Sequence, residues 1–390
     1  MSDDFDVLIP RRGTNAVKWD AAAEANMLPM WVADMDFRTA PEVINALEAR
    51  ARHGIFGYTQ VPSDFYTAIV NWFSRRHGFI LNPQHLLYTT GVVPALSAVV
   101  RALTKPGEKV IVQTPVYNCF FSSVRNQGCE IITNPLVRNG DTYTINFDDL
   151  EQKATDPHAR ILLLCNPHNP VGRVWRPEEL LRIGEICLRH NVIVIADEIH
   201  GDLVQPGFRY TPFASVSEHF MQNAITCISP SKAFNLAGLQ VAAIHTANDD
   251  MRQKIDKVLN IHEVCEINPF AVEALIAAWN HGEVWLNALN LYLHDNYNYL
   301  KTFFNHHLPA FPVIQLEGTY LAWVDCHALP CSSAEITALL KAEEKLWVNE
   351  GTIYGEEGEH YIRLNFACPR SRLLDGLNKI KAAFERTLTQ

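Results

Sequence analysis

The stretch AITCISPSKAFNLAGLQ, residues 224–240, holds Lys232 as the only lysine between Lys153 and Lys254. Its neighbours in sequence are small, hydroxylic or apolar, and none carries a charge. A buried, uncompensated ammonium is costly. A neutral lysine amine, by contrast, is a nucleophile and a base, and condensation with an aldehyde to a Schiff base removes the charge altogether. Lys232 is therefore the first candidate for covalent chemistry.

Pyridoxal phosphate is the common cofactor that uses a lysine in this way. It also needs a phosphate cradle, a carboxylate at its pyridine nitrogen and packing on its ring face. Each need has a candidate. Ser229 and Ser231 flank Lys232 and can hydrogen-bond phosphate. In YTTGVVPALSAVVRAL (88–103) a glycine turn opens a helix, and the free N–H groups at Gly91, Val92 and Val93 would face an anion. Asp197 ends an apolar run, where its carboxylate can keep the pyridine nitrogen protonated. Tyr117 is a candidate to stack on the ring, and Asn169 to hydrogen-bond its phenolic oxygen. Taken singly, each has an ordinary reading. These are a loop lysine, a helix start, a helix-capping aspartate, a core tyrosine and a proline-rich turn in NPHNP. Their joint order and spacing favour the cofactor.

The elements that must position these residues are legible as short apolar runs at 109–117, 160–170, 191–200 and 224–232. Such runs predict strands buried on both faces of a parallel sheet. Asn169, Asp197 and Lys232 fall at or just after their carboxyl ends, where open α/β sheets bind ligands. Between them, 176–190 reads as a helix opened by Pro177 and closed by Arg189 and His190, with Leu180, Leu181, Ile183, Ile186 and Cys187 on one face. From about residue 280 the pattern changes to a long amphipathic helix (281–307), strand-like pieces at 319–326 and 360–367, and helical stretches at 333–345 and 371–386. The expectation is an α/β protein in two domains. A large one spans 45–279, with a mainly parallel sheet flanked by helices. A smaller α+β domain is made of 280–390 joined by 1–44.

The 390 residues exceed the usual size of a single core. A formal charge of −10 argues against nucleic acid or an anionic membrane surface as partner. The nine cysteines form no C-x-x-C pair, which reads as reduced core cysteine and neither a disulfide framework nor a zinc site. The acidic start lacks a signal-peptide pattern, and no apolar run approaches the ~20 residues of a bilayer span. A cytoplasmic protein without a metal is expected. No G-x-G-x-x-G follows a strand and no H-E-x-x-H occurs, which sets dehydrogenase and zinc-hydrolase readings aside.

Three longer motifs complete the reading. CNPHNPVGRVW resembles the N-P-x-N-P-T-G turn of fold-type I pyridoxal-phosphate enzymes in the class I/II aminotransferase superfamily, with Val171 in place of the usual threonine. SPSKAFNLAGL resembles their lysine motif, and RLN at 363–365 their carboxylate-gripping segment. Within the superfamily, ADMDF (33–37), HGIFGY (53–58), ADEIHGD (196–202), GTYLAWVD (318–325) and YGEEGEHYIRLNFACPR (354–370) are most similar to the MalY/PatB group of cystathionine β-lyases. The resemblance implies a Schiff-base lysine at Lys232, a ring-nitrogen partner at Asp197, a phenolic-oxygen contact at Asn169, stacking by Tyr117 and Arg363 on the substrate carboxylate. It also implies a phosphate contact from Tyr58 of a neighbouring subunit, hence a homodimer with shared sites. His200 stands where many aminotransferases carry a tyrosine over the cofactor, and reads equally as a histidine satisfying a buried hydrogen bond. The implied activity is α,β-elimination of L-cystathionine or another L-cysteine S-conjugate to pyruvate, ammonia and a thiol. The alternatives are an aminotransferase on the same scaffold and a cofactor-binding regulatory protein with residual lyase activity.

Overall fold

The structure, a computed structural model, describes residues 5–264 and 266–389. Cys265 therefore lies outside it, and the other eight cysteines are free thiols. The largest sheet has seven strands: β1 (Leu86–Thr89), β2 (Lys109–Val112), β3 (Glu130–Thr133), β4 (Ala159–Cys165), β5 (Ile193–Asp197), β6 (Ala224–Ile228) and β7 (Ala242–His245). Their spatial order is β1-β7-β6-β5-β4-β2-β3. The five from β6 to β3 run parallel, and β7 is antiparallel to both of its neighbours.

The continuous apolar texture of the central strands follows from burial on both faces. Ile161, Leu162, Leu163 and Leu164 of β4 are all fully buried, each contributing about 1.5–3 kcal/mol relative to exposure. Helices cover the sheet. Pro177–Arg189 starts with Glu179 reaching back over the first turn, its Oε2 accepting from Arg176 N at 2.8 Å. Leu180, Ile183, Ile186 and Cys187 of this helix are buried, but Leu181 is 41% exposed. That corrects the expected face. The stripe narrows because position 181 lies about 100° around the helix from 180, beyond its edge. The helix Ser63–His77 stops at Gly78, whose φ of +65° is the left-handed turn that ends a helix, with Phe79 N bonding back to Phe73 O at 3.1 Å.

Beyond the seven strands, the 25-residue helix Glu283–His307 buries Trp285, Leu286, Leu289, Leu293, Leu300 and Phe304 on one side. A three-stranded antiparallel sheet follows, made of β8 (Leu321–Asp325), β9 (Asn349–Glu350) and β10 (Tyr361–Asn365), in the order β8-β10-β9. Trp323, Arg363 and Asn349 lie side by side across it. Near the N-terminus, Leu28–Pro29 pairs in parallel with Leu346–Trp347. The chain just after that pairing, Trp31–Phe37, thereby lies along the C-terminal sheet.

Candidate active site

The register of the three central strands brings their carboxyl ends level: Cys165 of β4 pairs with Asp197 of β5, and Asp197 with Cys227 of β6. Chain leaving β4 reaches Asn169 four residues later, and chain leaving β6 likewise reaches Lys232 four residues later. Both enter the space above Asp197. Asn169, Asp197, His200, Ser231 and Lys232 line one cavity of about 500 Å³, together with Tyr117, the Gly91–Val93 turn and Arg363. Arg363 arrives from β10, far along the chain.

Burial sets the protonation behaviour of this group. Lys232 is pushed down to about 8 by desolvation and then by Arg363, with Asp34 and Asp197 opposing. Its Nζ donates to Ala33 O at 2.6 Å. Asp197 is pushed up to about 6 by burial, against the Ile199 N–H and Lys232. Its Oδ1 accepts from Ile199 N at 3.2 Å. His200 is held well below the usual imidazole range, first by burial and then by Lys232 and Arg363, so it is neutral. Its Nδ1 is buried without a partner among the described residues. Burial also raises Tyr117, with Cys119 and Asp197 adding to the effect.

Arg363 is 4% exposed and lies over the Tyr354 ring, 4.9 Å from its centroid. Nη1 donates to Asn169 Oδ1 at 3.1 Å and Nη2 to Trp31 O at 2.8 Å, while Nε is buried and unpaired. Three of its five N–H donors therefore have no partner among the described residues. At the other end of the cavity, Gly91 caps the helix Val92–Leu103, whose first N–H groups have no intrahelical acceptor.

A model of the family described as aminotransferase class I and II matches residues 25–380. The chain belongs to that family. Cystathionine beta-lyase PatB of Bacillus subtilis (strain 168) is 43% identical over 97% of this chain and 99% of its own length. Protein MalY of Escherichia coli (strain K12) is 34% identical over the same shares of the two chains. Among solved structures, the C–S lyase of Staphylococcus hominis with pyridoxal phosphate bound superposes with a TM-score of 0.92 at 36% identity, covering 99% of this chain and 100% of that one.

Two of the residues singled out in the sequence do not line the cavity. Ser229 sits behind its wall, 5% exposed, with its hydroxyl donating to Val241 O at 2.6 Å. It shapes the turn instead, because its Oγ lies 2.9 Å from Ser231 Oγ and accepts from Ser231 N at 3.1 Å. Tyr58 is 94% exposed and does not line this cavity; Ile55 and Phe56 beside it are also exposed.

Other residues line the cavity without having been named as site candidates: Trp31 to Ala33, Cys119, Asn349 and Tyr354. The Trp31–Asp36 segment is irregular chain, so no periodicity marks it. Its one sequence signal was the acidic pair in ADMDF. Asp36 is 2% exposed and accepts from Arg11 and Trp19 at 2.9 Å each, with Lys18 Nζ at 3.2 Å and Arg372 at 3.4 Å. Burial alone would raise this carboxyl, but Lys18, Trp19, Arg11 and Arg372 outweigh it and hold it low. Among the described residues no group of three or more His, Cys, Asp or Glu is arranged to hold a metal ion, and no helix is long and apolar enough to cross a membrane.

Proposed function

We propose that this chain is a pyridoxal-phosphate-dependent carbon–sulfur β-lyase that splits L-cystathionine or other L-cysteine S-conjugates into pyruvate, ammonia and a thiol. The observation that carries the reading is the cavity at the ends of β4, β5 and β6. There an amine of lowered basicity, a buried carboxylate and a half-paired arginine converge. Relatives that match nearly end to end are named cystathionine beta-lyases.

The residues present fit the cofactor. The unpaired Nδ1 of His200 and the single hydrogen bond found for the Asp197 carboxylate are costs that a polar ligand would relieve. Lys232 would bond its aldehyde carbon, Asp197 would face its ring nitrogen, Asn169 its phenolic oxygen, Tyr117 its ring face, and Gly91–Val93 with Ser231 its phosphate. When bound, the cofactor supplies an electron sink for negative charge at the substrate Cα.

The protein's own groups do the rest. Arg363 grips the substrate carboxylate through its remaining N–H donors and so fixes the direction of the Cα–H bond. Lys232 Nζ, neutral above about pH 8, takes the Cα proton as general base. Asp197 keeps negative charge beside the ring nitrogen and a proton on that nitrogen. His200 remains an uncharged polar neighbour of the amine. Tyr58 serves the site of a second copy, which makes the working unit a cytoplasmic homodimer. Residues 45–279 form the cofactor domain, and 280–390 with 1–44 the smaller one. The test is product stoichiometry: L-cystathionine should yield thiol and pyruvate in equal amounts. Thiol-free conversion to a keto acid that retains the sulfur would contradict the reading.

A further inference from the structure

The carbonyl of Ala33 receives two hydrogen bonds inside the site. Lys232 Nζ donates to it at 2.6 Å and the Tyr320 hydroxyl at 2.8 Å. Neither the carbonyl nor the tyrosine is free to wander. Asn365 Nδ2 donates to Val32 O at 2.5 Å and to Asp34 O at 2.7 Å, clamping the peptides on both sides of Ala33. Tyr320 is fully buried, its own carbonyl accepting from Phe366 N at 3.2 Å. The residue before it, Thr319, is a β-branched residue at φ +72°, held there by a bond from its N–H to Leu203 O at 2.8 Å. A β-branched residue in the left-handed region is strained, and such strain persists where the surroundings over-determine it.

We propose that Tyr320 is a positioning residue for Lys232: its hydroxyl and the Ala33 carbonyl form a fixed dock that holds the lysine amine whenever it is not bonded to the cofactor. The inference rests on Lys232 being the general base assigned above. A lysine released from an aldehyde regains four rotatable bonds and must be held in place to act as a base. A carbonyl clamped on both flanks supplies that hold. The tyrosine, by occupying part of the same oxygen, limits how strongly the ammonium form is favoured. Tyr320 touches neither the arginine that grips substrate nor the carboxylate under the ring in any hydrogen bond found among the described residues.

The test is Tyr320→Phe, which removes one oxygen and keeps the ring. In the full-length chain freed of cofactor, the pH dependence of Lys232 acetylation by acetic anhydride is followed by mass spectrometry of its peptide. Arg363, Asp34, Asp197, Cys119 and His200 also face the amine and are unchanged by the substitution. The dock predicts that the labelling midpoint rises by roughly half a pH unit or more, because the carbonyl is left wholly to the ammonium. In the cofactor-loaded enzyme kcat should fall roughly three- to tenfold with KM for L-cystathionine unchanged. Asn365→Ala, which unclamps the carbonyl, should move the midpoint the other way and serves as well if the tyrosine variant does not fold. Labelling profiles that superimpose on wild type in both variants would overturn the proposal. Labelling does not depend on the reaction. A shifted midpoint in a protein that forms no pyruvate would therefore sink the lyase reading and leave the dock standing.

Discussion

Arg363 Nη1 donates to Asn169 Oδ1 at 3.1 Å, so an arginine on β10 and an asparagine beyond β4 are held as one unit across two sheets. Both residues line the cavity, and the oxygen of Asn169 is engaged by this bond. The group proposed to bind substrate and the group proposed to touch the cofactor's phenolic oxygen are thus oriented by each other.

Substituting Arg363→Ala should raise KM for L-cystathionine roughly 10- to 100-fold, the worth of a charge-assisted hydrogen bond. Because Asn169 loses its orienting partner, the cofactor's visible absorbance should shift as well. Arg363→Lys should recover only part of the affinity, since a point charge cannot reproduce the fork. Steady-state kinetics with an absorbance scan checks both effects, and an unchanged KM would show that the carboxylate binds elsewhere.

Lys232→Ala should lose the visible band of lysine-bound cofactor. Turnover should drop by at least about 10²- to 10⁴-fold, the usual contribution of a positioned general base. A visible spectrum identical to wild type would mean that another amine holds the cofactor.

Loading should depend on pH through two groups. Lys232 has a lowered pKa of about 8, and only its neutral form attacks an aldehyde, so the rate of cofactor uptake should rise with pH and level off above about 8. Asp197 is raised to about 6. Below that value its carboxyl is neutral and offers nothing to a protonated ring nitrogen, so cofactor affinity should weaken as pH falls through 6. Stopped-flow absorbance gives the rate and equilibrium dialysis the affinity. A rate flat between pH 7 and 9 would contradict the assignment of the amine.

The shared-site reading makes a complementation prediction. Tyr58→Ala and Lys232→Ala should each be nearly inactive as pure proteins. Mixed and re-equilibrated in equal amounts, they should regain about a quarter of wild-type activity, because half of the dimers carry one intact site out of two. No regain would place each site within a single chain.

The sequence exposed one half of this site well and the other poorly, for a physical reason. Asp197 ends, and Asn169 and Lys232 follow, strands whose burial on both faces writes an unbroken apolar run, and parallel topology brings all such ends to one side. The antiparallel course of β7 left no comparable mark, because its residues are as buried as those of a parallel strand. Trp31–Ala33 and Tyr354 reach the cavity, and Tyr320 the Ala33 carbonyl behind it, from irregular chain or from the ends of short elements, where contacts are set by tertiary packing and no period records them. Ser229 shows the converse: the motif places it beside Lys232, yet its hydroxyl is spent on the Val241 carbonyl.

The claim that the site eliminates a thiol is tested most directly by the initial rate of pyruvate release from L-cystathionine as the concentration of an added keto acid is varied from zero. A β-lyase gives full rate at zero and no dependence thereafter. A rate that vanishes without keto acid and saturates as it is added would contradict the account and make the protein an aminotransferase.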